Sequence, residues 1–319
     1  MADKVRKKNV KGAAPNGKVI ALVVLIVVAV LLIGVLVTFF VTGFRYMKIT
    51  YRTSLSQEEQ SISFIGFTER SGALKSGRLT YDGRTGDVSK NGDGLYTIKF
   101  SNGDVYTGEM DGLQRQGSGK MEYVSGDLYE GKFAADKFHG EGKYTYASGD
   151  YYEGSFSAGQ KNGEGKYVWM KDGKKSAQYT GAFKNDRRNG YGVFKDADGS
   201  TYAGNFVDDV RSDTCAEVRI PTSAGEDRYY GGYENDVRSG FGYYFYATGD
   251  VYVGNFADNK PEGEGTVYFA EGDSYTGQFH EGNIVRDEST AVAESEVAAF
   301  FAGVDKDVNP ITGKASVIG

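Results

Sequence analysis

Side chains able to do covalent chemistry are few. One cysteine, Cys215, and two histidines, His139 and His280, stand in 319 residues. A Cys/His nucleophile pair would therefore have to join Cys215 to one of those two imidazoles. His139 occupies a slot before Gly140 that other copies of the same pattern fill with Asn162, Asn189, Ser239 or Glu262, which marks a surface position. A single cysteine allows neither an intramolecular disulfide nor a four-cysteine zinc site. Six aspartates, Asp104, Asp127, Asp150, Asp227, Asp250 and Asp273, recur in register. Neighbours would lie about 10 Å apart, two strand spacings, too far to share one calcium ion among six to eight oxygens. Asp after Gly is ordinary hairpin-turn chemistry. The Gly-x-Gly pairs lack the Gly-Lys-Ser/Thr and the strand-to-helix setting of a phosphate loop. No catalytic residue, cofactor site or metal ligand is singled out. Ring stacking remains. Tyr123, Tyr146, Trp169, Tyr246 and Phe269 each follow a recurring Tyr by seventeen residues, and are the candidates for contact with a sugar or a peptide.

The recurring Tyr organises the chain. Tyr-x-Gly occurs at Tyr81, Tyr106, Tyr129, Tyr152, Tyr179, Tyr202, Tyr229, Tyr252 and Tyr275, five of the eight spacings being 23 residues. A Phe, or Tyr233, stands four residues after most of these head tyrosines, and a glycine pair stands eleven and thirteen residues after, as in Gly140/Gly142 and Gly163/Gly165. The Tyr202 copy breaks the rule, with Asp213 and Cys215 in the pair's slots, which makes Cys215 a small thiol under the sheet. Tyr129-Glu130-Gly131-Lys132-Phe133 alternates, so Tyr, Gly and Phe share one face of a strand. Glycine weakens a strand unless a neighbouring ring lies over the bare backbone. The pattern predicts an antiparallel meander with one face plated by rings bedded on glycine. Turns such as Ser148-Gly149-Asp150 close the units.

These residues, above all YEGKFAADKFHGEGKYTYASGD from Tyr129 and YEGSFSAGQKNGEGKYVWMKDG from Tyr152, resemble the MORN (membrane occupation and recognition nexus) repeat. The resemblance spans about residues 81–281. It implies an all-β repeat fold, an elongated single-layer meander of about eight hairpins, in a family used for scaffolding, tethering and suggested lipid or protein binding. The stretch 205–228 and the insertion Lys171–Gln178 depart from the pattern and imply a bend, bulge or altered loop there.

Composition agrees with a folded repeat. There are 46 Gly, 4 Pro, 24 Tyr and 19 Phe, too little Pro for collagen and too many rings for a disordered linker. The net charge of −6 divides into +7 over residues 1–50 and −13 over the remainder, and an acidic folded part argues against a nucleic-acid partner.

Flanking segments complete the expected organisation. Residues 1–18 form a basic tail. Residues 19–44 carry no charge over 26 positions, enough for a spanning helix of roughly 39 Å at about 1.5 Å per residue, and too long for the apolar core of a cleaved signal peptide. Lys and Arg are concentrated before this run, which places the N-terminus in the cytoplasm and the repeats outside. Residues 45–76 are expected as a juxtamembrane linker, 77–282 as the repeat domain, and 283–319 as a capping helix and flexible tail. An apolar stripe, Ala293, Val297, Phe300, Phe301 and Val304, predicts a helix over about 290–303 that packs on the last hairpin. The functional expectation is a membrane-anchored, non-enzymatic scaffold whose acidic rod binds a protein or envelope component. The alternatives are a cell-wall or surface-glycan binder and a lipid-binding tether.

Overall fold

The computed structural model describes residue 29 and residues 42–52, 59–81, 83–290 and 293–318. It divides into two compact units, the first ending at Ser101 and the second running from Asn102.

In the first unit the strands Phe44–Arg52, Glu59–Thr68, Leu74–Tyr81, Arg84–Lys90 and Tyr96–Phe100 pair antiparallel in chain order. Most of the described residues of the linker expected over 45–76 are therefore strand, in Phe44–Arg52, Glu59–Thr68 and Leu74–Tyr81. Its residues alternate as a half-buried strand requires: Ile62 and Phe64 are buried between the serines Ser61 and Ser63. The Phe64 ring sits on two glycines, and a Cβ on Gly66 or Gly77 would lie 2.8 or 2.6 Å from its edge. Phe64 is thus a head ring with glycines two and thirteen residues on. The unit expected at Tyr81 is absent, because Gly83 and Gly94 lie in turns at φ +83° and +85° with no atom near their Cβ positions. Of the expected spanning segment 19–44, only Ala29, Thr42, Gly43 and Phe44 are among the described residues, and Phe44 opens the first strand. The tail 1–18 also lies outside them. Among the described residues, no helix is long and apolar enough to cross a membrane.

The second unit is a meander of seventeen described strands, from Val105–Asp111 to Asn283–Thr290. Neighbours in sequence pair antiparallel, for example Tyr151–Ser157 with Lys137–Thr145 on one side and Gln160–Lys171 on the other. One set of hairpin ends is made by two-residue turns with both φ angles positive, such as Asn185-Asp186 (50° and 70°) and Asn235-Asp236 (50° and 68°). Their twist matches that of the flanking strands, and Asn and Asp tolerate the left-handed conformation. The other set is the Ser-Gly-Asp turn, where the Tyr146 amide donates to the Asp150 carbonyl and the Gly149 amide to the Tyr146 carbonyl, each at 2.8 Å. The insertion Lys171–Gln178 lengthens a hairpin around Asp172-Gly173, with a register irregularity at Trp169/Met170.

The C-terminal helix is Glu294–Gly303, later than expected because the last strand runs through Thr290. It does not cover the last hairpin. Phe300, Phe301 and Val304 pack on Tyr230, Phe245 and Val251, and Phe300 stacks on Tyr268 at 3.9 Å. The reason lies on the sheet. On the face away from the head tyrosines these strands carry Tyr230, Tyr243, Phe245, Val251 and Val253, whereas the last hairpin offers Ser274, Thr276 and Gln278. An apolar stripe docks where its partner is apolar.

The tail beyond Asp305, expected to be flexible, is pinned to that same face. Arg228 is ion-paired with Asp307 and donates to the Lys306 carbonyl at 3.0 Å. The Tyr230 hydroxyl donates to the same carbonyl at 2.7 Å. Buried Glu217 accepts from the Ser316 hydroxyl and from the Val317 amide, the latter at 3.0 Å. Buried charge requires such partners, and the tail supplies them.

Candidate functional site

The repeat is built around its head tyrosine. Tyr152 is wholly buried. Its ring covers the backbone of Gly154 and Gly165, and a Cβ on Gly165 would lie 2.6 Å from its Cζ. Phe156 and Phe183 meet that ring edge-on, each with centroids 5.0 Å away. Its hydroxyl donates to the Ser155 carbonyl at 2.9 Å. Tyr106, Tyr129, Tyr179, Tyr202, Tyr229 and Tyr252 repeat this bond to the carbonyl three residues on, at 2.6–3.0 Å. Burial pushes the phenols well above 10, to about 12 for Tyr252.

The two glycines of each pair have different tasks. The second lies under the ring. The first, as in Gly140 (φ +60°) and Gly240 (φ +74°), meets no ring; it is the left-handed residue of a bulge in the hairpin.

A row that sequence reasoning missed closes the other end of the stack. Nine residues after the heads from Tyr106 to Tyr229 stand Arg115, Phe138, Lys161, Arg188, Arg211 and Arg238, whereas Pro261 takes that place after Tyr252. Phe138 stacks on Tyr129 at 3.8 Å. The cations lie 5.6–5.8 Å from their head rings, a cation–π arrangement. The same arginines staple the sheet. Arg115 Nε lies 3.1 Å from Asp136, Arg188 Nε 3.0 Å from Asp209 and Arg211 Nε 3.1 Å from Asp236, each carboxylate belonging to the next two-residue turn. Burial lowers the Lys161 amine and raises the Asp136 carboxyl against the pull of Arg115. The constant nine-residue offset was the available signal.

The in-register aspartates form the matching staple at the opposite ends of the strands. Asp127 accepts from the Ala147 amide at 2.8 Å and the Tyr144 hydroxyl at 3.0 Å; Asp150 accepts from the Met170 amide at 2.7 Å; Asp250 accepts from the Ala270 amide at 2.9 Å. Each fastens its turn to the next. No group of three or more His, Cys, Asp or Glu among the described residues is arranged to hold a metal.

Between these two margins the residues fifteen and seventeen after the heads form a half-buried ribbon. Centroid separations run Tyr123–Tyr144 6.2 Å, Tyr144–Tyr146 4.7 Å, Tyr146–Tyr167 5.9 Å, Tyr167–Trp169 4.4 Å and Trp169–Phe194 5.6 Å. Three of the five residues expected to make ligand contacts, Tyr123, Tyr146 and Trp169, are thus brought together, joined by Tyr144, Tyr167 and Phe194. The other two lie apart. Tyr246 pairs with Tyr244 at 4.5 Å, and Phe269 takes part in the turn closed by the Asp273 carbonyl. The ribbon stops because Asp196 fills the seventeenth position after Tyr179 and Val218 replaces the next ring. The smaller side chain leaves a groove of about 400 Å³ bounded by Arg188, Asp196, Tyr202, Arg211 and Val218.

Val218 belongs to the irregular stretch. A bulge between Asp213 and Ala216 shifts the register by one residue, so Ala216, not Cys215, takes the glycine slot, its Cβ 3.1 Å from a Cβ built on Gly204. Cys215 turns to the other face and contacts Asn309 at 3.3 Å; burial raises its thiol. His280 is bonded to Glu262 at 3.0 Å, and His139 is exposed on the strand Lys137–Thr145. The structure brings neither imidazole to Cys215.

Comparison with known proteins follows the same repeat boundaries. Residues 106–128, 129–151, 152–174, 179–201, 229–251 and 252–274 match the MORN repeat. The six do not include the copies that the spacing suggests at Tyr81, Tyr202 and Tyr275. No curated protein sequence matches. Among solved structures, the TCP10 domain of Danio rerio CPAP in complex with a peptide of Danio rerio STIL is 12% identical, covering 77% of this chain and 100% of that chain at a TM-score of 0.39. The same domain alone is 12% identical, covering 65% and 95%, at 0.36. Neither likeness bears on function. The chain carries six MORN repeats between residues 106 and 274.

Proposed function

We propose that the chain is a non-enzymatic repeat scaffold that holds an extended protein partner along the ribbon from Tyr123 to Phe194. The observation that carries this reading is the continuity of six half-buried rings on the head-tyrosine face; the C-terminal helix and tail pack on the other face farther along the chain, at Glu217, Arg228, Tyr230, Phe245 and Val251. Rings that are neither core nor fully exposed present flat apolar area at low entropic cost. The apolar run 19–44 tethers the scaffold to a membrane with its repeats outside, a placement that rests on the charge asymmetry around that run. A glycan partner is the second reading, favoured by the same rings as stacking platforms. Anionic lipid is disfavoured, because residues 102–319 sum to −14.

Crosslinking and pull-down from native membranes test the proposal. A partner is recovered with the full chain and lost when Tyr146 and Trp169 are replaced by Ala. Failure to recover any partner above a repeat-deleted control would sink it.

A further inference from the structure

Resting on the scaffold reading above, we propose that the ribbon Tyr123–Phe194 recognises a basic, proline-rich peptide in the polyproline II conformation. The argument is one of pitch. Equivalent rings, Tyr123, Tyr146 and Trp169, sit one repeat apart, and a repeat is two strands wide, about 9.6 Å at ~4.8 Å per strand. A ligand lying along the ribbon must present equivalent groups to the same side at that interval. Polyproline II has three residues per turn at a rise of ~3.1 Å, so residues i, i+3 and i+6 face one side every ~9.3 Å. An extended strand does not fit, because three residues cover ~10 Å but place i and i+3 on opposite faces. An α-helix returns to the same side after seven residues and ~10.5 Å, and hides its backbone carbonyls. Polyproline II leaves its carbonyls free, and the Trp169 indole is a donor only. Proline rings also bring little conformational entropy to lose.

The margins of the ribbon determine the third residue of each turn. On the Ser-Gly-Asp side lie Asp127 and Asp150, repeating with the same pitch as the rings. Burial, followed by the charges of Asp186 and then of Asp127 and Asp150, raises the Tyr146 hydroxyl above the usual range against a hydrogen bond with Tyr167. On the other side Lys161 lies 5.1 Å from the Tyr167 ring and Arg188 5.6 Å from Phe194. Two prolines of each turn meet the rings, and a Lys or Arg at the third position points to the aspartate margin, within a unit of charge −14.

Trp169 is the one tryptophan of the chain, so its fluorescence reads the ribbon directly. The full-length chain in detergent is titrated with the twelve-residue probe (Pro-Pro-Lys)4, and in parallel with (Gly-Gly-Lys)4, (Pro-Pro-Glu)4 and cellohexaose. The expected result is saturable change with (Pro-Pro-Lys)4 at an affinity at least tenfold above each of the others. Tyr146→Ala and Tyr167→Ala weaken it tenfold or more, whereas Tyr191→Ala, on the opposite face, leaves it unchanged. Equal binding of (Gly-Gly-Lys)4 overturns the polyproline element and leaves charge alone. Binding of cellohexaose without peptide overturns the peptide assignment. Silence of all four probes, with a partner still recovered from native membranes, overturns this inference and spares the scaffold reading.

Discussion

Replacing Gly165 by Ala tests the ring-on-glycine account at one methyl group. The backbone at Gly165 is ordinary for an L-residue, so the substitution adds no conformational strain. Its Cβ, however, would fall 2.6 Å from Tyr152 Cζ. The ring has no room to yield, being wholly buried and held edge-on by Phe156 and Phe183 at 5.0 Å. Overpacking of this kind costs about 1–3 kcal/mol. If the ring shifts enough to release its hydroxyl from Ser155, about 1 kcal/mol more is lost. The reduced freedom of the unfolded chain returns about 0.5–1 kcal/mol. The expected net loss is about 1–3.5 kcal/mol. Urea unfolding followed by Trp169 emission reports it locally, because Trp169 lies on the same strand, and repeat arrays need not unfold as one. Gly159→Ala is the comparison: nothing lies within 4 Å of its Cβ, but φ is +92°, so it costs backbone strain of about 1–2 kcal/mol and is indifferent to the ring. In a Tyr152→Ala background the Gly165→Ala penalty should vanish while that of Gly159→Ala persists. A Gly165→Ala loss below about 1 kcal/mol, or one unchanged in that background, would refute the reasoning.

Four further outcomes follow from the same geometry. Tyr252→Phe removes the bond to the Asn255 carbonyl and should cost about 1 kcal/mol in urea unfolding, with the ring left in place. Because burial raises the head phenols, their contribution to stability is complete below pH 10 and is lost as pH rises through the folded values, about 12 for Tyr252; phenolate absorbance should therefore rise together with the alkaline loss of circular dichroism. The hydrogen bond that the His280 ring donates to the Glu262 carboxylate raises the imidazole above 6.5, so the stabilisation is present below 6.5 and lost as pH rises through the folded value; NMR titration should show that pKa fall back in Glu262→Gln. Deletion of residues 305–319 leaves Glu217 and Arg228 without their tail partners, and hydrogen exchange in the strands Asp213–Thr222 and Gly225–Glu234 should accelerate at least tenfold.

How much of this was legible from the sequence depended on whether a position keeps its residue type. The head tyrosines and the glycines two and thirteen residues on are uniform in type and spacing, so the meander and its ring floor could be read directly. The glycine at eleven is equally uniform, yet its reason is a bulge, which spacing alone does not distinguish from ring contact. Arg115, Phe138, Lys161 and Arg188 share a place over the rings but not a chemistry, so their row was invisible to a search by type. Phe64 escaped because the head there is not Tyr, although Gly66 and Gly77 keep the offsets. At Cys215 the bulge moved the register by one, a shift that no local residue announces. The tail lacks periodicity because polar bonds to Glu217 and Arg228 hold it, and these look like ordinary surface charges in the sequence. Of the binding candidates, Tyr123, Tyr146 and Trp169 were reachable because one offset covers them all. Tyr246 shares the offset but lies beyond the interruption at Asp196 and Val218.

The measurement that most directly tests the central claim is site-specific photocrosslinking with the partner recovered from native membranes. A photoreactive phenylalanine placed at Tyr146 or Trp169 samples the ribbon; placed at Tyr191 or Phe241, both half exposed, it samples the opposite face. The account predicts crosslinks from 146 and 169 and none from 191 and 241. The reverse pattern, or equal yield from both faces, would contradict it.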